Sequence, residues 1–417
     1  MTSTNRKRTR ALAVLLASVG AAALLLLQGC NRDTGTSTAD APGDADNAHE
    51  MPAGHPPVAS NPDATAPAQD GSVASVDPDA HFTHFRVGQR NVKVIFPEGD
   101  IVWVGTSAGV IRYDTQNDDY RLLDTRTGLL ANGVFHLGRI GGRLAVGTYG
   151  GGLSLLNDAE DGWRTYNIPD GLGDGFIYDA LELDNGDVWI ATWSGANRVR
   201  GGDLDDRDSW DLYTVANTGG ALPNDWVYAL HAGKNGEVWF ATEGGLARFK
   251  DEAWQNWTHE DGLGADYELV REQIEFDMDP GQYSQHHARQ KVEMGLEAIS
   301  VAYNPNYIVA LEVDNDGVVW CGTWGGGLSS FDGEKWQSYT VADGLPGNHV
   351  FMLHVDPAGE LWVGTNNGLA RLDDDGFTRF TTADGLFSNR VFSMATADDG
   401  SKWVGTFGGV ARIARFD

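Results

Sequence analysis

From about residue 81 to the end of the chain, short stretches in which apolar and polar residues alternate are separated by Gly, Asp, Asn or Pro. The stretches VFMLHVD (350–356) and ELWVGT (360–365) are examples, rich in β-branched and aromatic residues. Such period-two alternation is typical of β-strands. Glycine supplies 54 of 417 residues, about twice the usual share of about 7%, which favours tight turns over long helices. The pattern therefore predicts an all-β fold made of many short hairpins.

A short motif that ends in Gly-Thr or Ala-Thr recurs along this region. Successive copies are 42, 44, 50, 81, 42 and 41 residues apart. A period near 42 that holds four short strands is typical of a propeller blade, and seven copies predict a seven-bladed β-propeller. The threonines that end the motifs are Thr106, Thr148, Thr192, Thr242, Thr323, Thr365 and Thr406.

The two ends of the repeat array predict how the ring closes. The last copy ends in GVARIARFD (409–417) without an outer strand, and a surplus strand, HFTHFRV (81–87), precedes the first copy. Pairing the surplus strand with the last blade would complete that blade and remove an exposed sheet edge. We therefore expect the N-terminal strand to close the last blade.

The repeat resembles the two-component regulator propeller repeat. The resemblance lies in V-x-x-L, D-x-x-G, W-V-G-T, G-G-L and D-G-L elements, which recur from residue 81 to 417. It implies a β-propeller. It also implies a ligand-sensing role, because propellers of this family often form the ectodomains of envelope signalling proteins, which usually carry more repeats, a membrane span and a kinase.

The first thirty residues have the pattern of an export signal. Four basic residues within the first ten precede an apolar run over 11–27, too short for a comfortable membrane span. The run leads into Leu-Gln-Gly-Cys at Cys30, which resembles a bacterial lipobox. We therefore predict that 1–29 is a signal peptide and that Cys30 is lipidated; an uncleaved N-terminal helix is the alternative. Asn31 after the cysteine favours delivery to the outer membrane.

Residues 30–80 are predicted to be a disordered tether. Seven of the 14 prolines lie in 31–80, which contains no Trp, Phe or Tyr. Such a segment cannot bury enough apolar surface to offset the entropy of ordering it. The whole chain carries a formal charge of −29, which argues against a nucleic-acid partner because phosphate binding needs an excess of Lys and Arg.

The longest spacing, 81 residues between Thr242 and Thr323, predicts an insertion at about 264–304, between blades four and five. Apolar residues at helical spacing on both sides of Asp-Pro-Gly (279–281) predict a helical hairpin. We expect it to lie over the channel mouth as a lid or docking element. The alternative is that it packs its own apolar stripes against the rim.

Two positions vary between repeats whose neighbours do not. They are the residue after each motif threonine and the residue before each inner strand, and both sets are predicted to surround the channel mouth. Aromatic rings with a few polar groups are what a ligand or partner site needs; the alternative is that they fill gaps between blades or cap the channel. The candidates are Tyr149, Phe176, Trp193, Trp226, Glu243, Tyr307, Trp324, His349, Asn366, Arg390 and Phe407.

Within this set, His349 and Glu243 are the one pair suited to acid/base chemistry. No residue is predicted to be catalytic or to bind a metal, and no cofactor is predicted. Cys321 and the recurring motif tryptophans are predicted to be core. They are Trp103, Trp189, Trp239, Trp320, Trp362 and Trp403.

Three functions are compatible with these patterns. The first is an exported propeller, held on a bacterial membrane through Cys30, that binds an unknown small ligand or envelope protein on its loop face. The second is a propeller enzyme, a lyase or hydrolase, that acts at the channel mouth, since the fold does not decide function. The third is an assembly scaffold that docks a partner through the helical insertion.

Overall fold

The computed structural model describes residues 82–274 and 303–414. The predicted signal peptide (1–29), the lipidation site Cys30 and the tether (30–80) lie outside the described residues, as does most of the predicted helical hairpin. These four stay predictions. Within the described residues, strands dominate and a single α-helix, α1, spans Tyr267–Val270.

The strands form antiparallel sheets in which chain neighbours pair with each other. Five sheets contain four strands each. A sixth joins, in order, β25 (Val391–Thr396), β26 (Lys402–Ile413), β1 (Phe82–Glu98), β2 (Ile101–Thr106), β3 (Gly109–Asp114) and β4 (Asp119–Leu123). In that sixth sheet, β1 and β26 are long strands whose halves serve different neighbours. The first half of β1 pairs with the second half of β26, and the second half of β1 pairs with β2. When the halves of β1 and of β26 are counted as separate strands, the described residues contain seven sets of four antiparallel strands.

Each set runs from an inner strand to an outer strand. The inner strands are β1 (Phe82–Glu98, second half), β5 (Val134–Ile140), β9 (Ile177–Glu182), β13 (Val227–Ala232), β17 (Asn304–Val313), β21 (Val350–Val355) and β25 (Val391–Thr396). The second strands, which carry the Thr motif, are β2 (Ile101–Thr106), β6 (Arg143–Thr148), β10 (Val188–Thr192), β14 (Val238–Thr242), β18 (Val319–Trp324), β22 (Leu361–Thr365) and β26 (Lys402–Ile413, first half).

The remaining strands complete each set. The third strands are β3 (Gly109–Asp114), β7 (Leu153–Leu156), β11 (Gly195–Val199), β15 (Gly245–Lys250), β19 (Leu328–Phe331), β23 (Gly368–Asp373) and the second half of β26. The outer strands are β4 (Asp119–Leu123), β8 (Trp163–Tyr166), β12 (Trp210–Tyr213), β16 (Ala253–Trp257), β20 (Trp336–Tyr339), β24 (Gly376–Phe380) and the first half of β1.

The predicted closure by the N-terminal strand is confirmed. Phe82 pairs with Ile413, and the antiparallel register continues to Arg86 opposite Gly409. Inner strands contact one another in the order β1, β5, β9, β13, β17, β21, β25, and β25 contacts β1 again. The sheets therefore stand in a closed ring around a central channel, which is the β-propeller fold.

Consecutive blades approach each other closely where the Gly of the Thr motif meets the next inner strand. A Cβ atom added to Gly147 would lie 2.8 Å from Ile177 of the following blade, and one added to Gly322 would lie 2.5 Å from Val350. The same contact closes the ring, because a Cβ at Gly405 would lie 2.6 Å from Val92. The motif glycine therefore leaves the space that the branched side chain of the next blade fills.

The hydrophobic core lies between adjacent blades. The six motif tryptophans are at most 7% exposed and Cys321 is fully buried, so both core predictions are confirmed. Burial raises the pKa of the Cys321 thiol far above its ordinary value, which keeps it a neutral apolar group.

The D-G-L loops between blades are single capped turns. In three of them an aspartate, Asp261, Asp343 or Asp384, accepts a hydrogen bond at 2.8 Å from the backbone N–H of the residue three positions earlier. Reciprocal capping of this kind satisfies backbone donors at the start of a helical turn. The leucine after the glycine is then buried, as at Leu263 and Leu345. These aspartates therefore stabilise the loops.

Phe85, on the closing strand, tests how much the closure contributes to stability. Its ring stacks on Trp403 at 5.3 Å and contacts Tyr113 at 4.9 Å between ring centroids. We expect Phe85→Ala to lower the free energy of unfolding by about 2–3 kcal/mol, because a half-buried aromatic side chain is lost from the seam. Urea unfolding would measure this. Tyr120→Ala is the control, since Tyr120 is an outer-strand aromatic that is 70% exposed; equal effects of the two variants would contradict the expectation.

Candidate functional site

The Thr motif fixes the hairpins at one end of the channel. Each motif threonine is fully buried, and its hydroxyl donates a hydrogen bond to a glycine carbonyl across the hairpin. The donor–acceptor distance is 2.9 Å from Thr106 to Gly109, 2.7 Å from Thr242 to Gly245 and 2.8 Å from Thr323 to Gly327. Because the threonine is held inside, the residue after it lies at the rim. We call this end of the channel the mouth.

The two predicted sets of variable positions meet at the mouth. The backbone N–H of Tyr149 donates to Gly133 at 2.8 Å, and that of Asn366 donates to His349 at 3.0 Å. Each of these bonds joins the residue after a motif threonine to the residue before the inner strand of the same blade. Bridges also cross between blades, from Tyr149 to Phe176 and from Trp324 to His349.

On one side of the mouth the predicted aromatic residues form a continuous cluster. Tyr149 meets Phe176 edge-on at 4.5 Å, Phe176 meets Trp193 at 5.1 Å, and Trp193 meets Trp226 at 4.8 Å between ring centroids. Edge-to-face contacts at these distances stabilise the cluster. Loops of three consecutive blades are therefore linked through one aromatic surface.

A second cluster lies on blades five and six. Tyr307 stacks on Trp324 at 5.7 Å, and Trp324 meets the His349 ring at 5.1 Å. His349 is fully buried, whereas Trp324 is half-buried.

The candidate residues differ in exposure. Arg390 is exposed, and Tyr149, Phe176, Trp226, Trp324, Asn366 and Phe407 are half-buried. Trp193, Glu243, Tyr307 and His349 are buried. The rim thus offers aromatic surface together with Arg390 and Asn366, whereas Glu243 and His349 are buried. The structure brings these residues to one end of the channel, and their role in binding stays a prediction.

Glu243 is hydrogen-bonded within this end of the channel. Its carboxylate accepts a hydrogen bond from the Tyr228 hydroxyl at 3.1 Å. Burial, together with the Tyr307 hydroxyl and the negative charge of Glu243, holds the pKa of Tyr228 well above its ordinary value. Tyr228 therefore remains a hydrogen-bond donor at neutral pH. Acid/base chemistry by His349 and Glu243 stays a prediction.

Both described ends of the insertion lie at the mouth. The N–H of Ala265 donates to Gly326 O at 2.9 Å, in the hairpin that follows Thr323. After the insertion, Asn304 donates from Nδ2 to the carbonyl of Glu243 at 3.5 Å. The Tyr303 hydroxyl donates to Ala265 O at 2.7 Å and ties the two ends together. The insertion therefore leaves and re-enters the propeller beside the candidate residues.

The sequence analysis missed a second ring, which lies inside the channel. Every inner strand has a register shift that skips one residue two positions beyond the mouth residue, as a β-bulge does. Six of the seven skipped residues are half-buried. We call them the bulge ring: Lys93, Phe135, Tyr178, Tyr228, Val309, Phe351 and Phe392.

Neighbours in the bulge ring contact one another and the mouth. Phe135 meets Tyr178 at 5.0 Å, and Tyr178 meets Tyr228 at 4.9 Å. Phe351 stacks on Phe392 at 5.5 Å. Phe135 also lies 5.7 Å from the mouth residue Tyr149. The aromatic surface of the mouth therefore continues into the channel.

Lys93 is the one charged member of the bulge ring. Its Nζ lies 4.5 Å from the ring centroid of Phe392 and 5.9 Å from that of Phe135, so two aromatic faces from the neighbouring blades flank it. In the part of the chain that the structure describes, no hydrogen bond or ion pair to Lys93 is present. Burial lowers its pKa from the ordinary 10.5 to about 8. The other six residues at this position of the repeat are apolar or aromatic. A comparison of the repeats could therefore have singled out Lys93 from the sequence.

Histidines lie further along the inner strands. His136 Nδ1 is 2.8 Å from Asp179 Oδ1, and Asp179 also accepts a 2.8 Å bond from the N–H of Leu230, which links three consecutive blades. Nearer the far end, His231 Nε2 lies 2.6 Å from Glu312 Oε1. Burial lowers the pKa of His231, but the hydrogen bond and charge of Glu312 outweigh it, so the pKa is raised overall.

Among the described residues, no group of three or more His, Cys, Asp or Glu side chains is arranged to hold a metal ion. A surface cleft of about 320 Å³ lies elsewhere, at the seam of the first and last blades, lined by Asp100, Asp398 and Asp399 among others. Asp399 is ion-paired with Arg412 at 2.7 Å. The cleft contains none of the candidate residues.

Comparison with known proteins identifies the repeat. The family model for the two component regulator propeller matches residues 221–244, 302–325 and 344–367. Each match spans the inner strand and the Thr-motif strand of one blade. These three segments are two component regulator propeller repeats. The resemblance inferred from the sequence is thus confirmed. No curated protein matches the chain at a significant level.

Solved structures with the same fold include two types of protein. One is the extracellular domain of a B. thetaiotaomicron protein described as a hybrid two component system, with a TM-score of 0.61 and 18% identity over 80% of this chain. The chain spans 41% of that domain. Another is virginiamycin B lyase from Staphylococcus aureus, with a TM-score of 0.54 and 12% identity over 79% of this chain and 98% of the lyase. At these identities the likeness shows the fold alone.

Replacing Lys93 tests whether its charge destabilises the folded state. We expect Lys93→Met to raise the free energy of unfolding at pH 7 by roughly 1–2 kcal/mol. Each unit by which folding lowers the lysine pKa destabilises the folded state by about 1.4 kcal/mol at pH 7, and the cation–π contact offsets part of this cost. Because the folded-state pKa is about 8 and the ordinary value is 10.5, the gain over wild type should shrink as pH rises between those values. Urea unfolding at pH 7, 9 and 10.5 would check this; a destabilised variant would contradict it.

Proposed function

We propose that this chain is an exported, lipid-anchored propeller that binds a ligand or partner protein of the cell envelope at its mouth. The observation that carries the proposal is the aromatic surface of the mouth, above the buried polar side chains of Glu243 and His349. Apolar walls with a few polar groups are typical of ligand sites. Repeats of the regulator propeller type, and a fold shared with extracellular domains, support a sensor or interaction module.

The position of the insertion also supports the mouth as the binding face. Its two described ends lie beside Gly326 and Glu243, next to the candidate residues of the mouth. We therefore include the insertion in the proposed site, as a lid or docking element.

The attachment to a membrane is proposed through Cys30. Each buried methylene of an acyl chain contributes about 0.8 kcal/mol, so a multiply acylated cysteine holds a protein on a membrane without a spanning helix. No helix in the described residues is long and apolar enough to cross a bilayer. Asn31 after the cysteine supports the outer membrane as the destination.

Site-specific crosslinking tests binding at the mouth. A photoactivatable phenylalanine analogue placed at Arg390, which is exposed at the mouth, should form discrete adducts in native envelopes. The same analogue at Tyr120, on an outer strand, is the position control. Trp226→Ala with Trp324→Ala should abolish the Arg390 adducts, because the aromatic surface beneath the partner is removed.

Trp254→Ala is the matched variant for that experiment. Trp254 is also half-buried but lies on the outer strand β16, so its replacement should leave the Arg390 adducts intact. Circular dichroism would confirm that all variants are folded. The proposal fails if Arg390 gives no adducts, or if the adducts persist when both mouth tryptophans are replaced.

Replacing Cys30 tests the anchor. We expect Cys30→Ser to move the protein from the detergent phase to the aqueous phase in Triton X-114 partitioning and to prevent acylation, measured by intact-mass spectrometry. Cys321→Ala is the control, because Cys321 is the chain's other cysteine and is buried in the propeller. A Cys30→Ser protein that still partitions with detergent would disprove the lipid anchor.

A further inference from the structure

Lys93 occupies an unusual electrostatic position in the channel. The chain contains 59 Asp and Glu residues, yet within the described ranges none forms an ion pair with Lys93. Its described contacts are with the rings of Phe392 and Phe135. A charged group partly withdrawn from water without a charged partner carries a desolvation cost.

The walls around Lys93 are suited to a flat apolar molecule. Phe351 and Phe392 lie nearly parallel, with an interplanar angle of 26° and centroids 5.5 Å apart. On the other side, Phe135 meets Tyr178 at 60°. Phe135, Phe351 and Phe392 are each half-buried, as is Lys93, so all four side chains retain surface that faces the channel. Aromatic side chains that retain exposed surface favour an aromatic ligand by stacking and edge contacts.

We propose that the channel binds a small aromatic anion, with the Lys93 ammonium group pairing with its carboxylate or sulfonate and the phenylalanines of the bulge ring packing against its ring. The anion supplies the counter-charge that the described residues do not. This site lies deeper than the mouth, and it does not rest on the binding function proposed for the mouth.

The charge of the protein makes this site selective for small ligands. With a formal net charge of −29, the surface repels large polyanions. A single cation among apolar walls can pair with one anionic group at close range, where the low local dielectric strengthens the attraction. The charge and the walls together thus specify a monoanion with a flat apolar body.

Fluorescence titration with two matched probes tests the proposal. The anionic probe is 8-anilinonaphthalene-1-sulfonate, and the neutral probe is N-phenyl-1-naphthylamine, which has the same aromatic body without the sulfonate. We expect wild type to bind the anionic probe at one site. Lys93→Met should weaken that binding by about tenfold or more, because a buried charge pair is lost, and should leave binding of the neutral probe unchanged or stronger.

Three further variants separate charge from shape. Lys93→Arg keeps the cation and should retain anionic-probe affinity within about threefold. Lys335→Met removes an exposed lysine and should change nothing. Phe351→Ala removes wall surface and should weaken both probes. Circular dichroism of each variant would confirm folding.

The proposal is overturned if wild type does not bind the anionic probe, or if Lys93→Met binds it as tightly as wild type does. It is also overturned if Lys93→Met weakens both probes equally, because Lys93 would then only shape the channel. None of these outcomes depends on the crosslinking result at the mouth, so the two proposals can fail separately.

Discussion

The structure depends on the contact between each inner strand and the Thr motif of the preceding blade. A branched side chain such as Ile177 fills the space that Gly147 leaves, and Val92 does the same at Gly405 where the ring closes. This contact recurs at the five motifs that carry glycine, and the other two motifs carry Ala191 and Ala241 at the equivalent position. The mouth and the channel follow from it, since residues at equivalent positions of the repeat become neighbours in space.

The repeat therefore places residues from equivalent sequence positions in two rings, the mouth and the bulge ring. The buried threonines, with hydroxyls bonded across their hairpins, set the residues of the mouth. The bulge in each inner strand sets the ring below it, because the extra residue leaves the ladder and faces the channel. Many residues at these positions also pack against the core between blades, as Tyr178 and Trp193 do.

Stability and function lie in different parts of each repeat. Motif tryptophans, the buried Cys321 and the capping aspartates of the D-G-L loops are explained by packing and hydrogen bonding. Lys93 has no such explanation, because burial lowers its pKa to about 8 and an apolar residue would fit the same place at lower cost. A group kept at the expense of stability is a sign of a functional site.

The sequence by itself determined the repeat, the closing strand and the buried tryptophans. Each of these depends on local alternation of apolar and polar residues or on a motif that recurs seven times. The sequence also predicted a set of residues at the mouth, whose role in binding stays a prediction. Only the tertiary structure showed that Phe392 and Phe135 flank Lys93 and that Tyr228 donates to Glu243. Those contacts join blades, or strands, that are distant along the chain. A local sequence pattern does not predict which side chains become neighbours when the ring closes.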